Sequence, residues 1–441
     1  MGGERPLRVL VVSAVHPVGG PGVTQAAEMA TWEIVHRLAA DNGCEVVYGL
    51  VSERPSAETP ATRACRAALE AKGVRFLPPV TLEPFPPYGG ATYHRHMLAG
   101  DKRALLRGWG QSADLAAAVR TLAPWEPDTV LPVWSYEATY AAAGLPYPLC
   151  QFHGNPDHKL IEAANRIAWR WERSASPKWW LVHGLNRVHE RILERVHRAV
   201  LAGFPLIWEN AANDVAYYHA KGMTNVHYLR NMWTPPEDDA CLAERDALEQ
   251  DAPLKICGNM GHLGATANTF GLWAIGEEIM PALRRRLGDG GFEMHIYGRP
   301  PARGFLDRWL NAGDRDLRMR GFVDDIEREM KSCPVFLLAN NRFNFKVGHT
   351  RILHAFATGA CIVAYRDTAL AMPELKHDEN ILLGDSGEDL AELMVEAGRD
   401  RALRRRIGRG GLKTLRTLFH PRDQVATMAG DMRRLIFGDG A

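Results

Sequence analysis

Residues Arg320 to Tyr365, RGFVDDIEREMKSCPVFLLANNRFNFKVGHTRILHAFATGACIVAY, decide how this chain is to be read. Val335–Ala339 is an apolar run of the kind a buried strand makes, and Asn340–His349 is polar and holds a glycine, the composition of a loop. Ile352, Leu353, Phe356 and Ala357 then recur at helical spacing up to Gly359, a C-cap residue, and Cys361–Tyr365 is a second strand. A loop that opens a helix leaves backbone N–H groups unpaired at the positive end of the helix dipole, which suits an anion. Lys346, Gly348, His349, Thr350 and Arg351 all fall at that start. Gly348 would let the backbone approach a ligand, Thr350 would cap or donate a hydroxyl, and Lys346 and Arg351 would supply charge. The local pattern leaves a second reading open: a helix capped by Thr350 with solvated basic side chains.

The first half alternates strands and helices of its own. Arg8–Val12 is a buried strand, Ser13–Gly22 a loop, a helix runs from about Thr24 to Ala40, and Glu45–Val51 is the next strand. Thr129–Val133, Leu149–Phe152, Val200–Gly203 and Val226–Asn231 are further strand-like runs. Strands separated by helical stretches predict a parallel sheet with helices on both faces and ligands beyond the carboxyl ends of the strands. Two loops fall at such ends. His16–Gly22 carries Gly19 and Gly20, and Gln151–Pro156 holds His153 and Gly154 at its tip. Neither is specific alone, because glycine turns serve many folds and a lone histidine is more often structural. Asn165–His197 is rich in Trp and Arg, and reads as a helix with its tryptophans in the core. Stacking on sugars or resting on a membrane surface is the alternative there. Arg401–Arg409 reads as a solvated helix face.

With 441 residues, 46% of them apolar, the chain is long enough for two domains of similar size. A formal charge of +1 gives no general attraction to nucleic acid, and no nucleic-acid partner is expected. The seven cysteines stand singly, which fits reduced, buried thiols better than disulfides or zinc. Leu7–Val12 is too short for a signal sequence or a membrane span. A cytoplasmic protein is expected, with peripheral contact at the inner membrane face left open. No D-x-D element follows a strand, and Asp324-Asp325 reads as a helix cap, so no metal site is expected.

The segment Gly348–Val363 resembles the "G-x-x-[TR]-[KR]-I-L-E-A-x-A-x-G-x-P-V-V" segment of GT-B glycosyltransferases of the GT4-like group, the glycosyl transferases group 1. Ile256–Gly261 resembles the first strand and glycine loop of that donor domain. Ala267–Leu272 and Ile279–Leu283 resemble its following helix, and Met294–Arg299 its next strand. Met319–Asp324 is similar to its "v-x-G-x-v-x-D" turn, Met372–Leu375 with Glu379–Leu383 to its closing motif, and His227–Trp233 to the exit from the first domain. The likeness runs in order over roughly residues 254–415.

The resemblance implies an α/β GT-B fold, two Rossmann-like domains facing across a cleft. Residues 1–233 would form the acceptor side and 240–418 the nucleotide-sugar donor domain, with Thr234–Asp239 as linker and 419–441 a C-terminal helix crossing back onto the first domain. It implies transfer from a nucleotide-diphosphate sugar to an acceptor hydroxyl, with retention, no metal and no further cofactor. The acceptor, whether lipid-linked sugar, polysaccharide, protein or small molecule, is not indicated. His153, Lys346 and Arg351 are the catalytic candidates. Gly19, Gly20, Asn259, Gly298, Arg299, Phe322, Val323, Gly348, His349, Thr350 and His354 are the donor-binding candidates. Two departures stand out. Relatives hold the donor ribose with a glutamate where His354 stands, often have another where Lys346 stands, and carry an Arg and Lys pair near the first glycine loop that Asn259 and neutral residues replace. Either the positive charge has moved to Arg299, Arg342, Lys346 and Arg351, or the chain is a catalytically inactive GT-B-like binding or scaffold protein.

Overall fold

Short runs of buried Val, Ile and Leu become parallel strands here because each is followed by enough chain to cross back over the sheet. The computed structural model describes residues 5–20, 26–52, 57–82, 113–154, 156–171, 174–249, 253–298, 313–342 and 346–438. The chain divides into two compact units. The first comprises Met1–Asn210, Asp214–Leu229 and Pro421–Ala441, and the second Ala211–Asn213 and Arg230–His420.

Unit 1 holds β1 (Arg8–Ser13), β2 (Glu45–Ser52), β3 (Arg75–Phe76), β4 (Val80–Thr81), β5 (Thr129–Pro132), β6 (Cys150–His153), β7 (Leu206–Glu209) and β8 (Val226–Tyr228). The order is β3-β2-β1-β5, with β4 also on β2, and β6-β7-β8. Single bridges, Val130 to Leu149 and Val133 to Phe152, join the two sets. All pairings are parallel. The C-terminal helix Pro421–Phe437 packs on the helix Ala26–Ala40. Trp208 Nε1 donates to Asp431 Oδ2 at 3.0 Å, and Arg433 bonds the carbonyl of Asn42.

Three expectations need correcting in this unit. Val200–Gly203 is not a strand: Val200 and Leu201 close the 25-residue helix Pro177–Leu201, continuing the spacing of buried His189, Leu193, Val196 and His197. Gly203 and Pro205 stop that pattern, and the strand starts after them at Leu206. The last strand ends at Tyr228 rather than Asn231. Nor do Trp169, Trp179 and Trp180 sink into the core, while the Trp171 side chain lies outside what the structure describes. Trp169, Trp179 and Trp180 pack edge to face on one another at 5.0 to 5.4 Å, and Trp180 is 38% exposed beside exposed Leu181 and Val182. Among the described residues no helix is long and apolar enough to cross a membrane. All seven cysteines are free thiols and six are buried.

Unit 2 holds β9 (Leu254–Asn259), β10 (Phe292–Tyr297), β11 (Leu317–Gly321), β12 (Val335–Leu338), β13 (Cys361–Tyr365) and β14 (Leu382–Gly384). All are parallel, in the order β11-β10-β9-β12-β13-β14. The chain winds outward from β9 to β11 and then returns to β12 on the other side, so the crevice between β9 and β12 is a topological switch point. The helix after β9 is Thr266–Ala274, widened by a π turn at Ile275–Ile279 before it continues as Met280–Leu287. Pro281 supplies the reason, since it has no N–H for the preceding turn and its ring crowds the carbonyl four residues back.

The helix Thr350–Ala357 is held from behind. Buried Arg245 donates to the carbonyls of Met330, Cys333 and Thr358 at 2.9, 2.7 and 3.2 Å, which closes the C-terminal ends of two helices with one cation. Gly411, in the helix Arg401–Leu418, lies so close to Phe356 that a Cβ would stand 2.4 Å from its ring. The charge run on that helix is not all solvated: Arg404 is 3% exposed, pairs with Glu249 and donates to the carbonyls of Ala397 and Gly398.

Candidate active site

The end of β9, the helix after it and the loop after β12 meet at the switch point of unit 2 through polar side chains. Asn340 Nδ2 donates to Asn268 Oδ1 at 2.8 Å, and Asn259 Oδ1 accepts from the Met260 N–H at 2.8 Å and from Arg351 Nη1 at 3.0 Å. Arg351 stands in the first turn of Thr350–Ala357, where the N–H groups have no intrahelical acceptor. Burial pushes its guanidinium down, to about 10, so it is still fully charged at neutral pH. Among the described residues no carboxylate pairs with it. A partly buried cation with no carboxylate partner among the described residues, on the positive end of a helix and at a switch point, is an arrangement suited to an anion.

The loop into this helix is braced so that its carbonyls are occupied. Asn341 accepts from the Val347 N–H at 3.2 Å and donates to the Val347 carbonyl at 2.9 Å, and Asn231 Nδ2 donates to the Gly348 carbonyl at 2.9 Å. His349 is the N-cap position but makes no side-chain cap. It is buried, which holds it well below the usual imidazole range and neutral, and its Nε2 lies 2.7 Å from Asn341 Oδ1. His349 therefore shapes the loop. Thr350 opens the helix instead of capping it.

The other sequence candidates scatter. Lys346 lies 3.6 Å from Asp367, and Arg342 is paired with Glu278 and bonded to Tyr365, so the charge of both is met from within the unit. Arg299 lies outside the described residues. Gly298, with φ 112°, packs on the loop after β9: a Cβ there would stand 1.9 Å from the Gly261 carbonyl oxygen, so only glycine fits. Phe322, 83% exposed, and Val323 form the turn after β11. His354 stacks on Trp233 at 4.8 Å and its Nε2 lies 3.2 Å from Glu327 Oε1. That bond holds the Glu327 carboxyl below its usual range, so a carboxylate does stand beside His354, brought by a different helix. Asp325 caps that helix, Ile326–Ser332, by accepting from the Arg328 N–H at 2.9 Å.

Gly19, Gly20 and His153 belong to unit 1. Gly19 is pressed on the Trp32 indole, where a Cβ would come within 2.2 Å, and Gly20 is exposed at φ 106°. Both have conformational reasons to be glycine. His153 ends β6, 9% exposed, its ring 3.9 Å from that of Tyr136. Sequence reasoning missed the bracing by Asn231 and Trp233, which it read as a domain exit, and missed Glu327, Trp134 and Glu209. The acid ending the apolar run Leu206–Trp208 was a signal for Glu209, hidden by placing that strand too early.

Residues 255–400 match the family model described as Glycosyl transferases group 1. No curated protein matches the chain in sequence. Among solved structures, sucrose-phosphate synthase from Thermosynechococcus elongatus is similar at a TM-score of 0.62 and 14% identity, covering 98% of this chain and 99% of that one. Anabaena Alr3699/HepE, solved with UDP, gives 0.58 and 14% over 97% and 99%. The trehalose 6-phosphate synthase of Burkholderia multivorans gives 0.58 and 13% over 98% and 99%. At such identities the structures speak for the fold, two parallel-sheet Rossmann-like domains of GT-B type, and the matched segment contains β9 to β14 with Asn259 and Arg351. On that match and that fold, the chain has a GT-B fold, and its residues 255–400 are similar to the glycosyl transferases group 1 family.

Proposed function

We propose that unit 2 binds a nucleotide-diphosphate sugar at the switch point and that the chain transfers the sugar, with retention and without a metal, to an acceptor hydroxyl served by unit 1. The observation that carries this is Arg351, charged, partly buried and without a carboxylate partner among the described residues at the start of Thr350–Ala357. Breaking a sugar–phosphate bond leaves negative charge on the departing diphosphate, and fixed N–H donors with a cation aimed there lower the barrier. Arg351 and the first-turn N–H groups would meet that charge. Asn259 would hold the guanidinium in place, and Phe322 would offer a face to the base. The departing phosphate would take the acceptor proton. Anabaena Alr3699/HepE was solved with UDP and with UDP-glucose, which makes UDP the first nucleotide to try.

Calorimetry with UDP, GDP, ADP and TDP tests the donor site. One of them is expected to bind, and Arg351→Ala to abolish the heat. NMR of the product from the matching nucleotide sugar, with a chelator present, is expected to show retained configuration. Absence of heat with all four nucleotides overturns the proposal. The pairing of Lys346 and Arg342 with internal acids favours the second reading, a GT-B scaffold without catalysis, and that reading predicts this silent result.

A further inference from the structure

The helix Pro177–Leu201 turns one face out of unit 1. Leu181, Gly184, Val188, Arg191 and Arg195 follow one another at steps of three and four residues, so they share a single stripe, and all are exposed. Trp180 and Arg187, also exposed, border it. The opposite stripe, with His189, Leu193, Val196, His197 and Val200, is buried and holds the helix on the unit. The helix Asp157–Trp171 pairs with it: Asn165 Nδ2 donates to the Asn186 carbonyl at 3.2 Å, and Trp169 packs on Trp179 and Trp180. That aromatic packing stiffens the end of the pair from which Trp180, Leu181 and Val182 project.

Two features of this face are unusual for a solvated surface. Large apolar side chains gather on and around it: Leu181 is 64% exposed and Val188 45%, with Trp180 and Val182 exposed between them in sequence or beside them. Charge is sorted as well. From Arg173 to His189 the sequence holds no acid, while Lys178, Arg187, Arg191 and Arg195 are basic. The acids of the helix, Glu190 and Glu194, are engaged from within the unit: Glu190 accepts from Asn165 at 3.2 Å, and Glu194 accepts from the Tyr217 hydroxyl at 2.7 Å and pairs with Lys221. Among the described residues Arg191 and Arg195 form no ion pair.

The occupant of such a face must take apolar side chains and cations together. A bilayer bearing anionic headgroups does so, with Trp180, Leu181 and Val188 at the acyl boundary and the arginines at the phosphates. The stripe also fixes the orientation. Leu181 and Arg195 stand about 21 Å apart along the helix axis, whereas a headgroup layer is only about 6 Å deep. The helix must therefore lie along the surface. A second copy of the chain fits less well, because pairing two such faces sets arginine against arginine or against Leu181 and Val188.

We propose that this face docks on an anionic bilayer, with the helix Pro177–Leu201 lying in the headgroup layer. The proposal stands apart from the transferase reading, and silent UDP calorimetry would leave it untouched.

Flotation of the full chain with vesicles tests it, using phosphatidylcholine alone and an equal mixture of phosphatidylcholine and phosphatidylglycerol. The chain is expected to float with the mixture and not with phosphatidylcholine, and to be released by high salt. Arg191→Gln with Arg195→Gln, and Leu181→Ser with Val188→Ser, are each expected to weaken binding about tenfold or more, at unchanged Tm because all four side chains are exposed. Brominated phosphatidylglycerol is expected to quench the tryptophan fluorescence, and less so in Trp180→Phe. Equal binding to both kinds of vesicle, binding to neither, or undiminished binding in both double variants overturns the proposal. A concentration-dependent dimer in sedimentation that both double variants abolish gives the face to a second copy and overturns it too.

Discussion

The strand ends of the two units leave opposite chemistry unsatisfied. In unit 2 Glu327 and Glu278 are engaged, and among the described residues no carboxylate pairs with Arg351. In unit 1 Lys159 is engaged with Asp214, and the buried Glu209 carboxyl has no hydrogen-bond partner among the described residues. Two sheets built on the same plan of parallel strands thus differ in which polar groups they leave without partners among the described residues. Architecture sets where a ligand sits, and the few polar groups left unpaired set which ligand it is.

The contrast breaks most visibly at two arginines of unit 2. Arg245 is buried with Glu249 and three carbonyls, so Arg245→Met should destabilise unit 2 by about 3–5 kcal/mol in denaturant unfolding. Arg351 has no such company. Arg351→Met should weaken nucleoside diphosphate binding by about 2–3 kcal/mol in calorimetry while leaving Tm of the unliganded protein unchanged or higher. A loss of Tm like that of Arg245→Met would show that Arg351 is structural.

Acidity sharpens the comparison further. Asp214 is raised by burial from 3.8 to about 6, so it favours the folded state at low pH, and that stability is lost as pH rises through about 6. Glu327 is lowered, so its contribution is present above the ordinary carboxylate range and lost as pH falls. Asp214→Asn should therefore remove a decline in Tm between about pH 4 and 6, and Glu327→Gln a decline toward acid, both readable by scanning calorimetry. The smallest effect is expected at Lys346, whose charge Asp367 already meets: Lys346→Met should cost about 0.5 kcal/mol of nucleotide affinity, less than threefold. A loss as large as that of Arg351→Met would place Lys346 on the phosphate.

Much of the frame was legible because it depends on local pattern. The buried runs at Val335–Leu338 and Cys361–Tyr365, the helix between them and the glycine that ends it fall where hydrophobic period and cap chemistry put them. The C-terminal helix and its seat on unit 1 followed from the family likeness. Val200–Gly203 was misread because a helix end and a strand start carry the same apolar residues, and only packing tells them apart. The site was legible in part. Arg351 and Asn259 were both named, but their contact was not, since 92 residues separate them in the chain.

The sequence by itself determined the alternation of strand and helix and the glycine-bearing turn that opens a helix, because each is set by neighbours a few residues away, and that alternation in turn imposes parallel pairing. Tertiary structure alone decided which charges are free. Lys346, Arg342 and Arg351 look equivalent in the chain, and what separates them is whether folding brings Asp367, Glu278 or no acid to their side.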